Sequence, residues 1–318
     1  YRDRGDQYIT TRTELTDEID AVYEKLMGFE AAGGGDGPES VNQALFEAVE
    51  RFEWSDDPST LKIVFLVGDA EPHMDYQDDV KYQATCKLAN ERGIMINTIQ
   101  CGKMSGTKKH WTKIANLTNG AYAMIAQDSG VQRITTPYDS EMRELDQEYA
   151  SLMYTYGSQH DKADAASKRL RASRISSSSS LEAAADRAAY NQTSAGAANM
   201  LGEQELVESV FSGSIQLDDL SKEELPAPLQ TKSKEEIEKL LKENKARRDA
   251  INARLLELTE LRKSYQEKAL AEGPADGFDQ QVLRTLQKQG ASIGLRFERA
   301  GESSKESKKH GKPAKSED

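Results

Sequence analysis

Hydrophobic positions in the first 130 or so residues follow two alternating periods. Leu15, Ile19, Val22 and Leu26 recur at steps of three and four, which predicts a helix over Leu15 to Met27 with Thr16 as its N-cap. After a glycine loop, Val41, Leu45, Ala48 and Phe52 mark a second helix. Leu61 to Val67 is an apolar run broken only by Lys62, the composition of a strand buried on both faces. A third helix is expected over roughly Asp79 to Arg92, stopped by Gly93, followed by a buried strand at Ile94 to Ile99. Trp111 to Leu117 reads as a further helix ended by Asn119-Gly120, and Ala121 to Ile125 as the last strand. Tyr8 to Thr11 is a short β-prone run. Strands alternating with helices predict an α/β fold, a mostly parallel sheet with helices on both faces.

The strand signal stops after Pro137. Met142, Leu145, Tyr149, Leu152 and Tyr156 form a helical stripe, followed by a basic stretch, the serine run Ser176 to Ser180 and an alanine-rich helix near Leu181 to Leu201. Leu225-Pro226-Ala227-Pro228 marks a turn. Lys234 to about Glu272 is a long charged helix with Ile237, Leu241, Ile251, Leu255, Leu258 and Tyr265 on its apolar side, a candidate arm of a helical hairpin. The expected organisation is an α/β domain over 1–130 and a helical, coiled-coil-like extension over 138–300. A flexible serine-rich break is expected near 174–180, and a disordered tail over 301–318.

Composition narrows the classes. With 37% hydrophobic and 30% charged residues and a mean hydropathy of -0.73, no apolar run reaches the ~18 residues of a membrane helix, so no membrane span is expected. Two cysteines make no disulfide framework. The formal charge is -12, and the part up to Pro137 carries 14 basic against 22 acidic residues, a net of -8. That balance disfavours nucleic acid, whose binding draws mainly on cations set against phosphates.

In an open parallel sheet, ligands bind beyond the carboxyl ends of the strands. Asp69 stands there, directly after Leu66-Val67-Gly68, and opens a loop that also holds His73, Asp75, Asp78 and Asp79. A second acidic loop, Gly33-Gly34-Gly35-Asp36-Gly37-Pro38-Glu39, precedes the second helix. Two carboxylate loops on one edge suit a hard divalent cation, with Asp36 and Asp69 as ligands and Glu39 and His73 as further candidates. Each has a plainer reading beside it. Asp36 and Glu39 are spaced as a capping box, Asp69 can cap a turn, and His73 beside Pro72 can be a packed loop residue. Asp75, Asp78 and Asp79 read as a solvated rim and the N-cap of the third helix.

Three separated blocks then fall in a familiar order: Tyr1-Arg2-Asp3-Arg4-Gly5-Asp6, Gly33 to Val41, and Val64 to His73. They resemble a bacterial von Willebrand factor type A domain, and Trp111 to Ala115 followed by Thr118-Asn119-Gly120 is similar to that family's closing helix and strand. The resemblance covers about residues 1 to 130. It implies a Rossmann-like, doubly wound sheet with a metal-ion-dependent adhesion site binding magnesium or calcium, in which Asp36 matches the second ligand element and Asp69 the third. The family's first element, Asp-x-Ser-x-Ser after a strand, does not occur here and is expected upstream of Tyr1, so this chain is expected to bind the cation weakly or not at all. A weaker resemblance of the helical half to extensions of secreted or envelope-associated bacterial proteins implies that localisation.

Three functions follow. The leading one is a non-enzymatic, metal-dependent adhesion or scaffold module whose cation is completed by a carboxylate from a partner protein. A metal-dependent hydrolase using Asp69 is the second, although no Asp-x-Asp pair, Walker lysine or nucleophile with an adjacent base supports it. The third is a metal-independent coiled-coil interaction protein with a degenerate A-type domain.

Overall fold

The computed structural model describes residues 1–30, 32–33, 35–126, 134–202, 204–271 and 278–296. Its elements in order are α1 (Ile19–Met27), α2 (Val41–Glu50), β1 (Lys62–Gly68), α3 (Tyr82–Glu91), β2 (Ile94–Cys101), α4 (Thr107–Leu117) and β3 (Tyr122–Ile125), then α5 (Asp139–Ser151), α6 (Gln159–Ser178), α7 (Leu181–Asn191), α8 (Ser194–Leu201), α9 (Leu206–Phe211), α10 (Lys234–Ala271) and α11 (Phe278–Ser292). They form two compact units. The first holds Tyr1–Thr16, the chain from Phe29 through β3, and α11; the second holds α1 and α5 to α10. The boundary after the last strand lies where the periodicity changes, but α1 belongs with the helical unit and α11 with the sheet.

The first unit is α/β. Its sheet has the order β1-β2-β3, all parallel, with Lys62 opposite Ile94 and Thr98 opposite Tyr122. Val41, Leu45, Val49, Leu66, Tyr82, Cys86, Ile94, Ile96, Trp111 and Ile114 form the core, so α2, α3 and α4 cover one face of the sheet. Neighbouring strand residues face opposite ways. Asn97 accordingly points to the other face and exchanges two hydrogen bonds, of 3.0 and 2.8 Å, with Gln289 of α11. Gly93 ends α3 at φ +68°, and Gly120 lies so close to β2 that a Cβ there would sit 1.9 Å from the Ile96 carbonyl oxygen. Those two residues make the tight entries into β2 and β3.

Several expectations are corrected. β1 is not buried on both faces: Leu66 faces the core and is buried, whereas Phe65 and Val67, on the opposite face, are exposed. The residues of the expected helix at Leu15 fold only from Ile19, with Glu18 as N-cap in place of Thr16, and Leu15, Ile19, Val22 and Leu26 are exposed. α1 contacts α6 and α7 through charge instead: Glu18 pairs with Lys168, Glu24 with Arg174, and Asp20 with Arg187. Tyr8 to Thr11 forms no strand.

In the second unit the serine run is helical rather than a flexible break. Ser176 to Ser178 close α6, and only Ser179 and Ser180 separate it from α7, which Ser180 caps by accepting from the Ala183 N–H. The alanine-rich helix divides at Gln192-Thr193 into α7 and α8. Met142 and Tyr149 of α5 pack with Ala185, Ala188, Ile251, Leu255 and Leu258, and Ile237 and Leu241 pack with Leu206, Val207 and Leu229. Arg248 and Glu205, each with a side chain 2% exposed, form a buried ion pair in which Arg248 also donates to the Leu152 carbonyl. Among the described residues no helix is long and apolar enough to cross a membrane. The expected tail, 301–318, lies outside the described residues.

Candidate metal centre

The loop after β1 is held from three sides. Trp111, fully buried, donates from Nε1 to the Ala70 carbonyl at 3.2 Å, and Thr107 donates to the Asp69 carbonyl at 2.8 Å, so α4 anchors the start of the loop. Asn42 of α2, also fully buried, donates to the His73 carbonyl at 2.6 Å and accepts from the Tyr82 N–H at 2.9 Å. Glu39 and Pro72 form a parallel bridge, in which the Glu39 N–H donates to the Glu71 carbonyl and the His73 N–H to the Glu39 carbonyl. That bridge lays the glycine loop against the loop after β1. It also overturns the capping box: α2 starts from Ser40, and neither Asp36 nor Glu39 caps it.

Ser40 brings in a third segment. Its hydroxyl makes no cap and instead donates to Asp3 Oδ1 at 2.9 Å, while the Tyr76 hydroxyl donates to Asp3 Oδ2 at 3.0 Å. The result is a cluster in which one ligand atom each of Asp3, Asp36 and His73 lies within 4.8 Å of the others, the one group of three or more such residues among those described. His73 Nε2 is 3.4 Å from Asp3 Oδ2 and 3.4 Å from Asp36 Oδ1. It makes no hydrogen bond to either, although its side chain is only 4% exposed. The other ring nitrogen, Nδ1, lies 2.8 Å from Asp75 Oδ1, and the imidazole stacks on Tyr76 at a centroid distance of 4.0 Å and an angle of 11°. Arg4 in turn sits 4.1 Å over the Tyr76 ring and pairs with Asp78 and Asp79.

Negative charge accumulates here, with Asp3, Asp36 and Asp75 all set around the His73 ring. Burial, and then the charges of Asp3, Asp6 and Asp69, push the Glu39 carboxyl above its ordinary value. Burial disfavours a charged His73, but the hydrogen bond with Asp75 and the charges of Asp3, Asp36 and Asp75 outweigh it and hold its pKa above the ordinary value. Burial and the bond to Asp3 push the Tyr76 hydroxyl up to about 12, so it remains a donor to Asp3 at neutral pH. Asp36 is the open member, its side chain 65% exposed.

Of the four residues expected as ligands, Asp36 and His73 are in the cluster, and Asp69 and Glu39 are not. Of the expected rim, Asp75 and Asp78 are exposed, but Asp79, its side chain 5% exposed, is paired with Arg4, and α3 is preceded by Lys81 as N-cap. Asp3 was not a sequence candidate, since nothing in Tyr1 to Asp6 distinguishes it from Asp6 until Ser40 and Tyr76 orient it. Compared with known proteins, the chain matches no family model and no curated sequence. The class defined by fold and site is therefore an α/β unit with a parallel sheet, a candidate cation cluster beside its loops, and a helical companion unit.

Proposed function

We propose that the sheet-bearing unit is a non-enzymatic, cation-dependent protein-binding module akin to a von Willebrand factor type A domain. A divalent cation held by Asp3, Asp36 and His73 is completed by a carboxylate of a partner protein, and the helical unit acts as a scaffold or stalk. One observation carries this reading: the buried His73 Nε2 faces two carboxylate oxygens and hydrogen-bonds to neither. With Nδ1–H donated to Asp75, the Nε2 lone pair of the neutral ring is set against two anions, and a positive centre between them stabilises that arrangement. The surrounding field has the same sense, because an acidic partner is repelled by these carboxylates until a cation neutralises them.

Immobilised chain exposed to acidic peptides, with divalent cation or with chelator, tests the proposal. Retention is expected only with the cation and is expected to be lost in Asp36→Ala. Retention that survives both chelation and Asp36→Ala would transfer the binding surface to the helices.

A further inference from the structure

The donor set does not match the magnesium or calcium that the family resemblance implies. Calcium and magnesium take oxygen ligands, calcium six to eight of them and magnesium a near-ideal octahedron. Here one of three donors is an imidazole nitrogen, the most buried of the set, and Asp69, which the resemblance assigns as a ligand, stands outside. Spacing argues against magnesium in particular. Two ligands roughly 2.1 Å from a tetrahedral ion lie roughly 3.4 Å apart, whereas the octahedral magnesium geometry brings adjacent ligands to roughly 3.0 Å. Both Nε2-to-oxygen separations are 3.4 Å.

The surroundings are those of a nitrogen-and-oxygen site for a borderline metal. A metal-binding histidine usually donates its second ring N–H to a carboxylate, which fixes the tautomer and aims the other nitrogen at the ion. Asp75 occupies that position at Nδ1, 2.8 Å away. The first carboxylate is oriented too, by Ser40 and Tyr76 on Asp3. Asp36 leaves one side open to solvent, which suits three protein ligands and one exchangeable position.

From this we infer that Asp3, Asp36 and His73 form a mononuclear site for a zinc-class transition-metal ion, with Asp75 positioning the imidazole and the fourth position left for water or a partner's carboxylate. The inference rests on the reading above that a cation occupies this cluster, and it names which cation. Imidazole with carboxylate is a donor combination zinc accepts readily, and alkaline-earth ions do not compete well for the nitrogen.

The test uses the whole 318-residue chain, stripped of metal and labelled with ¹⁵N at its 4 histidines. Zinc chloride, magnesium chloride and calcium chloride are titrated separately, following the imidazole nitrogens by long-range ¹H–¹⁵N correlation and the heat by calorimetry. Zinc is expected to bind one to one, to move the His73 Nε2 resonance and to leave Nδ1 protonated. Asp75→Asn, at an exposed side chain, is expected to weaken zinc binding about 10–100-fold. His73→Gln is expected to abolish the event. Should His73→Gln fail to fold, the Nε2 shift in the wild-type chain decides. An unmoved His73 Nε2, or zinc affinity unchanged in Asp75→Asn and His73→Gln, overturns the assignment. Magnesium or calcium binding without zinc binding overturns it too, while leaving cation-dependent function standing; binding by none of the three overturns both.

Discussion

The His73 ring is committed at one nitrogen and open at the other, and its neighbours explain why. Asn42 and the Glu39 bridge fix its backbone, Tyr76 fixes its plane, and Asp75 fixes Nδ1, so Nε2 has one direction left. Asp36 supplies the exposed oxygen and contributes no helix cap. Asp36→Ala is therefore expected to weaken divalent-cation binding at least ~10-fold, the scale at which loss of a group merely hydrogen-bonded to a ligand is felt, with no drop in Tm. Asp69→Ala is expected to change cation affinity far less. Calorimetry and thermal unfolding of both variants check this, and the reverse order would return Asp69 to the ligand set. His73 and Asp36 were legible as candidates because each sits in a loop beside a strand or helix end. Asp3 was not, because its role depends on two donors, Ser40 and Tyr76, from positions 37 and 73 residues away.

At the scale of elements, the helical unit shows how pattern and charge cooperate. α5 and α10 run antiparallel, with Met142 and Tyr149 packed against Ile251, Leu255 and Leu258. Arg254 grips Glu141 through two bonds of 2.7 and 2.9 Å, and Arg247 grips Glu148 through two of 2.5 and 2.6 Å. The two pairs are one heptad apart on each helix, so they fix a single register beside the apolar seam. These arginine bonds hold both glutamate carboxyls below their ordinary value of 4.5. A depressed folded pKa means that the unfolded chain binds more protons in the intervening range. The resulting stabilisation is present in full above the ordinary glutamate value and is lost as pH falls through the lower folded values. Glu141→Gln with Glu148→Gln is expected to lower stability at pH 7 and to flatten the decline below about pH 4.5. Denaturant melts between pH 7 and pH 2 check it; identical acid limbs would mean the pairs are energetically silent, as many exposed pairs are. The long helix was readable almost to its ends, expected from Lys234 to about Glu272 and found over Lys234–Ala271, because helix formers and an apolar stripe act locally.

At the scale of the whole molecule, burial decides what periodicity cannot. β1 presents Phe65 and Val67, 41% and 48% exposed, beside the outer edge of the described sheet. An exposed apolar edge strand templates pairing with another chain. Self-association that rises with concentration is therefore expected, and Phe65→Lys is expected to reduce it without loss of Tm, since Phe65 lies outside the core. Sedimentation velocity over a concentration series checks this; a monomer at all concentrations would show that the edge is protected.

The amino-acid sequence by itself determined the alternation of strands and helices, their stops at Gly93 and at Asn119-Gly120, and the boundary after the last strand. Those features arise from backbone freedom, capping and periodicity within a few residues. Only tertiary structure decided that α1 docks through Glu18, Asp20 and Glu24 with its apolar stripe exposed, and that α11 closes on Asn97 of β2. Tertiary structure also selected Asp3 over Asp69 for the cluster. A helix or a strand is specified by near neighbours, whereas a ligand set is specified by which distant loops are brought within a few ångströms of one another.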